Sequence, residues 1–357
     1  MMALKRLENL MRRKDIDAVL FLNLENIRYL CGFTGSDGAL VAAGGERTFL
    51  SDSRYEEQAK TEIRGAGFKK YKRKIEGLAQ FLGSLRIKRL GFESSAMTCE
   101  TYQKLKEKLP RVSFVPLAGE IKDLRARKEP EELEKIRQAI RIASASFADA
   151  LPRMKPGAGE RNVADFLEFR MKRNGGDKPA FDTVLASGPR AALPHGAASE
   201  KRMQKQETVV VDFGVRFKGY NSDETKTLIL GKLDDQQRKI YETVRRAQGK
   251  AMRAIRPGVS VRRIDATARE VITRAGYGKY FGHGTGHGVG LAVHEEPSIS
   301  PRGVGVVQEG MVFTVEPGIY IPGWGGVRLE DMVLVTSRGV EVLTGLSKDL
   351  RENIRIR

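Results

Sequence analysis

Histidine, cysteine and tryptophan are scarce in this chain, and long apolar runs are missing altogether. Among 357 residues there are four histidines, two cysteines and one tryptophan. Cys31 and Cys99 lie far apart and outside any metal-ligand spacing, which excludes a disulfide-stapled scaffold and a thiolate zinc site. Such usage points to a reducing compartment, the cytoplasm. No segment reaches the ~18 uninterrupted apolar residues of a membrane span. The opening "MMALKRLENLMRRKDIDAVLFLN" lacks the apolar core and small-residue cleavage site of a signal peptide. It reads as a short amphipathic helix, with Leu4, Leu7, Leu10 and Met11 on one face, running into a strand. Acidic charge is also short: 45 Asp and Glu against 63 Lys and Arg leave a net charge of +18. About +8 of this falls in residues 1–125 and the remainder beyond, so both parts are basic. The densest run, "KKYKRK" at 69–74, holds a single aromatic residue and offers no stacking platform for single-stranded nucleic acid. The charge therefore reads as a solvated basic surface, with nucleic acid disfavoured as a partner.

The apolar residues that are present alternate in two textures. The first 120 or so residues interleave helical patterns with short strands, "DAVLFLN", "GALVAAG", "RTFLSD", "RLGFES" and "RVSFVPL", which suggests a mixed α/β layer. A long helix then opens at "KEPEELEKIRQAIRIASASFADALPRM", with Pro130 near its first turn and acids where the dipole favours them. Leu133, Ile136, Ile140, Ala143, Phe147 and Leu151 form its apolar stripe, and Pro152 marks its end. The boundary falls at Arg125 to Lys128, giving domains 1–125 and 126–357. Further helices and then strands with Gly and Pro turns follow, without repeats.

Three of the four histidines, His283, His287 and His294, fall in "GHGTGHGVGLAVHEEP" at 282–297. Five glycines among nine residues argue against a helix, so the segment is expected to be extended or irregular, with glycine letting backbone approach a site closely. His287 and His294 are seven apart and would face opposite ways on a regular strand, so a bend must intervene if both serve one site. Acids are placed with comparable order. In "TVVVDFGVRFKGYNSDETKTLIL" a turn centred on Phe217 and Lys218 sets Asp212 opposite Asp223, with Cβ atoms about 4.5–5.5 Å apart. In "MVFTVEPGIYIPGWGGVRLEDMVLVT" the turn centres near Gly323, and Glu316 and Glu330, each seven residues from it, face each other. One such pair is equally well explained by a salt bridge to a neighbouring lysine or arginine. Two self-opposed pairs in apolar strands repel unless a cation lies between them, and they call for metal. Four carboxylates and an imidazole make a hard, oxygen-dominated site able to hold two divalent ions. The dinucleotide fingerprint, HExxH, the G-x-S-x-G elbow and the phosphate-binding lysine loop are all absent.

The ordered set Asp212, Asp223, His287, Glu316 and Glu330, within the words "VVVDFG", "YNSDETKT", "GHGVGLAVHEEP", "TVEPGIY" and "GVRLED", resembles the ligand signature of the dinuclear pita-bread metallopeptidases. That family, M24, includes methionine aminopeptidase, aminopeptidase P and prolidase. "NIRYLCGFTGS" and "SDSRYEEQA" resemble the amino-terminal domain shared by prolidase, aminopeptidase P and creatinase, so the resemblance spans the chain. It implies an α/β (α+β) protein, a creatinase-like mixed α/β domain followed by a pita-bread metallopeptidase domain. The implied activity is exopeptidase hydrolysis of the Xaa-Pro bond at the N-terminus of peptides or in dipeptides.

By the same resemblance Asp212 holds one ion, Asp223 and Glu330 bridge two, and His287 and Glu316 complete the second. Glu316 serves as proton shuttle, and His195, from "LPHG", and His294 contact substrate and transition state. His283 lines the pocket. Arg328 joins the substrate-binding set and, with Thr225, lies two residues from a ligand along its strand, placed to orient Glu330 and Asp223 respectively. Phe181 is a candidate wall for a proline ring and equally an ordinary core phenylalanine. Manganese is expected, with cobalt or zinc as alternatives, and a homodimer acting on small peptides with proline second. Two positions depart from the family words. Lys226 stands where arginine is frequent and is expected to point away from Asp223. Ser298 follows "HEEP" where many relatives carry an arginine suited to a substrate carboxylate, which opens the site to longer peptides. The competing reading is a non-catalytic pita-bread binding protein with a basic, nucleic-acid-contacting surface. Lost ligands would mark that class, and all five are present here.

Overall fold

The computed structural model describes residues 2–355, and the chain divides into two compact units, Met1–Arg125 and Ala126–Arg357. The first unit runs α1 (Met2–Lys14), β1 (Ala18–Phe21), α2 (Leu24–Cys31), β2 (Ala39–Ala43), β3 (Glu46–Ser51), α3 (Glu56–Glu62), β4 (Gly67–Lys70), α4 (Lys74–Ser84), β5 (Arg89–Glu93), α5 (Cys99–Lys108), β6 (Ser113–Leu117) and α6 (Gly119–Ala126). Its six strands form one sheet in the order β4-β3-β2-β1-β5-β6. Leu7 and Leu10 of α1 are buried and Leu4 and Met11 partly so, as the amphipathic pattern predicts. Five strands follow the apolar runs in the sequence; β4 does not. It lies at the edge, and its exposed Lys69 and Lys70 open the "KKYKRK" run. Lysines on an edge strand discourage pairing with another chain, which accounts for part of that charge.

The second unit continues with α7 (Pro130–Ala150), α8 (Glu160–Arg173), β7 (Lys178–Pro179), β8 (Val184–Ser187), β9 (Thr208–Phe213), β10 (Val215–Phe217), β11 (Tyr220–Asn221), β12 (Glu224–Leu230), α9 (Asp235–Ala254), α10 (Val261–Arg274), β13 (Gly286–Gly288), β14 (Glu295–Ile299), β15 (Val312–Val315), β16 (Gly318–Ile321), β17 (Gly325–Arg328), β18 (Asp331–Val335), β19 (Val340–Val342) and β20 (Ile354–Arg355). Pro130 occupies the first turn of α7, and Glu129 with Glu132 closes a capping box there. One four-stranded sheet runs β20-β12-β9-β8 and one five-stranded sheet runs β14-β13-β15-β18-β19, with β16-β17 as a hairpin between β15 and β18 in the chain.

Strand alternation decides which side chains reach the site. Val209, Val211 and Phe213 of β9, with Leu228 and Leu230 of β12, pack against Ala139, Ala143, Phe147, Val163 and Leu167 of α7 and α8. Asp212 and Thr225 therefore turn to the opposite face. In the other sheet Phe313, Val315, Val333 and Val335 pack with Ile240, Val244, Ile264 and Ala268 of α9 and α10. Thr314, Glu316 and Glu330 turn away from those helices. Among the described residues no helix is long and apolar enough to cross a membrane.

One register expectation changes and the other holds. Lys218 and Gly219 both have positive φ, 47° and 85°, so the β10–β11 hairpin closes on these two residues, as in a type I′ turn. The ladder continues from Phe217↔Tyr220 and Arg216↔Asn221 to Asp212↔Thr225. Asp212 thus opposes Thr225, and Asp223 is its diagonal neighbour. The slip is two residues, so both acids keep the same face. Glu316 and Glu330 do match across the expected centre, since Gly318 pairs with Arg328 and Val315 with Asp331. Like Asp223, however, they lie in breaks between strands rather than inside them.

Candidate active site

Four acids and one histidine converge where these strand breaks meet. At each break the backbone N–H finds a partner outside its own ladder: Glu316 donates to the Thr285 carbonyl at 2.8 Å and Glu330 to the Thr225 carbonyl at 3.2 Å. His287 Nε2 lies 3.3 Å from Glu316 Oε1 and 3.6 Å from Asp223 Oδ2. One ligand atom each from Asp223, His287 and Glu330 falls within 4.8 Å of the others, a grouping able to hold a metal ion. Asp212 Oδ2 accepts from Arg328 Nη2 at 2.7 Å, whereas its Oδ1 is buried without a partner.

The electrostatics of this group are those of a site built around positive charge. Burial pushes the Asp223 carboxyl well above its ordinary range, and the charges of Glu330, Asp212 and Glu316 push it further. Glu330 is raised well above its ordinary value by burial and then by Glu316 and Asp212. Glu316 is raised by burial, against the pull of His283 and Arg328. Burial lowers His287, keeping its imidazole neutral and able to ligate.

The supporting hydrogen bonds are exchanged relative to expectation. Thr225 Oγ1 donates to Glu330 Oε2 at 2.6 Å, not to Asp223. Arg328 holds Asp212 rather than Glu330, and its other nitrogens donate to Thr225 Oγ1, Tyr320 Oη and the Pro194 carbonyl at 2.9 to 3.0 Å. With every nitrogen engaged by protein and 3% of its surface exposed, Arg328 is a brace for the site. Tyr320 and Thr314 escaped the sequence reading. Tyr320 Oη contacts His283 Nε2 at 2.9 Å, and Thr314 Oγ1 donates to Glu316 Oε1 at 3.1 Å. Both share strand parity with a recognised residue, Tyr320 with Arg328 across the hairpin and Thr314 with Glu316, and that parity was the available signal.

The four histidines lie near one another. His294 is exposed and lies over His287, ring centroids 4.0 Å apart. A register shift after His287 makes this possible, supplying the bend that seven-residue spacing requires. The loop returning to His294 is anchored from behind: Lys128 Nζ meets Glu295 Oε1 at 2.7 Å, both side chains buried, and Asn221 Nδ2 donates to the Gly290 and Leu291 carbonyls. The glycines serve neighbouring strands: a Cβ on Gly286 or Gly288 would collide with the Thr314 or Glu296 carbonyl. His283 contacts the Gly284 carbonyl through Nδ1 at 2.7 Å, so Nε2 accepts from Tyr320. His195 is exposed on the loop after β8; burial lowers His283 and His294, and His195 is close enough to both to add to that lowering. Phe181 is half-buried, its ring against Gly214 beside Asp212. Ser298 pairs directly with His287 across the β13–β14 ladder. Lys226 points away from the site as expected, but into a buried cluster with Glu224 and Lys348, where burial depresses its amine to about 8.

Comparisons with known proteins cover both units. Residues 4–127 match the creatinase/prolidase N-terminal domain and residues 134–337 match metallopeptidase family M24. The chain is 40% identical over 346 residues to the Xaa-Pro dipeptidase of Pyrococcus horikoshii, covering 97% of each. The structure superposes on an Xaa-Pro dipeptidase from Bacillus anthracis with a TM-score of 0.95, at 40% identity over 99% of both chains. An X-Pro aminopeptidase from Thermotoga maritima gives 0.86 at 36% identity, covering 96% of this chain and 97% of that one. With a creatinase/prolidase-type first unit and a pita-bread second unit, this chain is a peptidase belonging to metallopeptidase family M24.

Proposed function

We propose that the protein is a dinuclear metal-dependent exopeptidase that hydrolyses the bond before proline, in Xaa-Pro dipeptides and at the N-terminus of longer Xaa-Pro peptides. The observation that carries the reading is the convergence of Asp212, Asp223, His287, Glu316 and Glu330, with Asp212 Oδ1 buried and unpartnered. Arg328 on Asp212 supplies one positive charge, and four carboxylates this close cannot all ionise on that alone; the all-oxygen-and-imidazole donor set fits divalent ions, manganese foremost. Asp223, His287 and Glu330 each offer a ligand atom within 4.8 Å of the others. Asp212 and Glu316 would extend that group, so that Asp212, Asp223, His287, Glu316 and Glu330 together would hold the ions. Ions bound there supply a Lewis acid for the scissile carbonyl and water acidified enough to give hydroxide near neutral pH.

The chain's own groups do the rest. Glu316, held by Thr314, takes the proton from the attacking water and passes it to the departing proline nitrogen. His195 and His294, both exposed beside the carboxylates, bind the substrate backbone and donate to the oxyanion as it develops. His283, both of whose nitrogens are already engaged, forms the pocket wall, with Phe181 as the apolar surface for the proline ring. A peptide bond to proline carries no N–H, so ring shape replaces that contact in recognition. Ser298, directly across from His287, is too short to fix a substrate carboxylate, and chains longer than two residues fit accordingly. Two free thiols, Cys31 and Cys99, accord with a reducing cytoplasm, and a homodimer follows from the family resemblance.

Hydrolysis of Xaa-Pro dipeptides beside Xaa-Pro-Yaa tripeptides, after metal stripping and manganese add-back, tests the proposal. Manganese-dependent cleavage of both, lost in Asp223→Ala, is expected. Cleavage of dipeptides alone removes the aminopeptidase part; silence on both with metal bound removes the proline-directed reading.

A further inference from the structure

His195 has no hydrogen bond of its own among the described residues, so its position depends on the backbone that carries it. That backbone is the segment between Ser187, the last residue of β8, and Ser199. It contains a 3-10 turn, Gly188–Ala192, and places Leu193 and His195 in solvent. An exposed side chain on such a segment samples many positions unless its two ends are fixed.

One side chain reaches both ends. Glu160, the first residue of α8, has a fully buried side chain that belongs to no metal-ligand cluster. Its Oε1 accepts from the Ser187 backbone N–H and from Ser187 Oγ, each at 2.8 Å. Its Oε2 accepts from Ser199 Oγ at 2.7 Å, from the Ser199 N–H at 3.2 Å and from Arg190 Nε at 3.1 Å. Arg190 in turn donates to the Ala197 carbonyl at 2.6 Å, bracing the segment internally. Burying an ionised carboxylate is costly unless its lone pairs are filled, and here five donors fill them, all from the two feet and the brace of one loop. The tip is tied separately, through the Pro194 carbonyl, to the Arg328 that holds Asp212.

We infer that Glu160 is the positioning residue for His195, fixing the histidine over the carboxylates without touching substrate. This rests on the role given to His195 in hydrolysis. The loop of His294 is anchored elsewhere, on Lys128, Glu295 and Asn221, and serves as an internal control.

The test is a set of double-mutant cycles on the full-length, manganese-loaded protein with an Xaa-Pro dipeptide. Kcat and KM are measured separately, with manganese stoichiometry and melting temperature alongside. Glu160→Gln, which keeps size but replaces one acceptor by a donor, is expected to lower kcat/KM about 10- to 100-fold with manganese stoichiometry retained. Ser199→Ala, a milder change that keeps the cycle readable if the glutamine variant does not fold, is expected to lower it less. In a His195→Ala background either change should add no more than about twofold, whereas in His294→Ala the full loss should remain. Two results overturn the proposal and differ in what they remove. Parental activity in His195→Ala withdraws the role of His195 itself. An impaired His195→Ala whose loss is multiplied in full by Glu160→Gln or Ser199→Ala leaves that role intact and shows that Glu160 acts on something else.

Discussion

Thr225 donates to Glu330 and accepts from Arg328, so one hydroxyl links a proposed metal ligand to the brace on Asp212. Replacing it with valine keeps the shape and strands two buried polar groups. Thr225→Val is expected to weaken manganese binding about 10- to 100-fold with the fold retained, by titration calorimetry and circular dichroism; unchanged affinity would mean that Glu330 holds its orientation without help. Protons compete for the same carboxylates. Asp223, Glu316 and Glu330 are raised, each first by burial, so the metal-free native state binds protons that the unfolded chain releases near pH 4. Their contribution to stability is full below that pH and is lost as pH rises through the raised values. His287, lowered by burial, acts in the opposite sense below its ordinary value. Manganese replaces the carboxylate protons, so the melting-temperature gap between loaded and stripped protein should widen from roughly pH 5 to pH 8. A gap independent of pH would count against these acids as ligands. The four acids were legible because each sits at a countable distance from a turn, and His287 because three of only four histidines share one glycine-rich stretch. Their partners were not: Thr225 meets Glu330 across 105 positions of chain, and only the packing of one sheet against another decides such a pair.

At the level of strands and loops, the face of each acid was readable, and so was the match of Glu316 with Glu330, whereas the partner of Asp212 was not. A turn at Lys218–Gly219 instead of Phe217–Lys218 moves the register by two, an even number, and parity survives. The glycines of 282–290 announced close approach correctly but not what approaches; a carbonyl of the adjacent strand leaves no periodic trace in sequence. Edge strand β4 was missed because its lysines outweigh its single phenylalanine. Parity also gives Ser298 a specific consequence. It pairs with His287 on one ladder, so a long cation at this position lies on the same face as a site histidine. Ser298→Arg should favour dipeptides over tripeptides by about tenfold in relative kcat/KM, the effect of one hydrogen bond to a charged group. Equal losses on both substrates would indicate obstruction rather than recognition of the substrate carboxylate.

For the molecule as a whole, composition recorded an excess of positive charge and the fold locates much of it. Residues 235–275, which span α9 and α10, hold eleven lysines and arginines against four acids, on the helix layer that backs the five-stranded sheet. The two units also keep separate cores. Leu7, Phe21, Phe49, Leu78 and Leu105 belong to clusters confined to residues before 125, whereas Val211, Phe213, Val244, Ile264 and Phe313 belong to clusters that begin at Ala126 or later. Every proposed metal ligand lies in the second unit. A ligand that binds only the native state stabilises whatever unfolds with its site, by about 2.7 kcal/mol at a hundredfold excess over Kd. For a unit of this size that corresponds to roughly 5 to 10 °C. Differential scanning calorimetry should therefore resolve two transitions. Manganese should raise the one belonging to residues 126–357, leave the other in place, and move neither in Asp223→Ala. A single transition that moves as one would mean that the two cores unfold together, and the stability conferred by metal would then extend to the first unit as well.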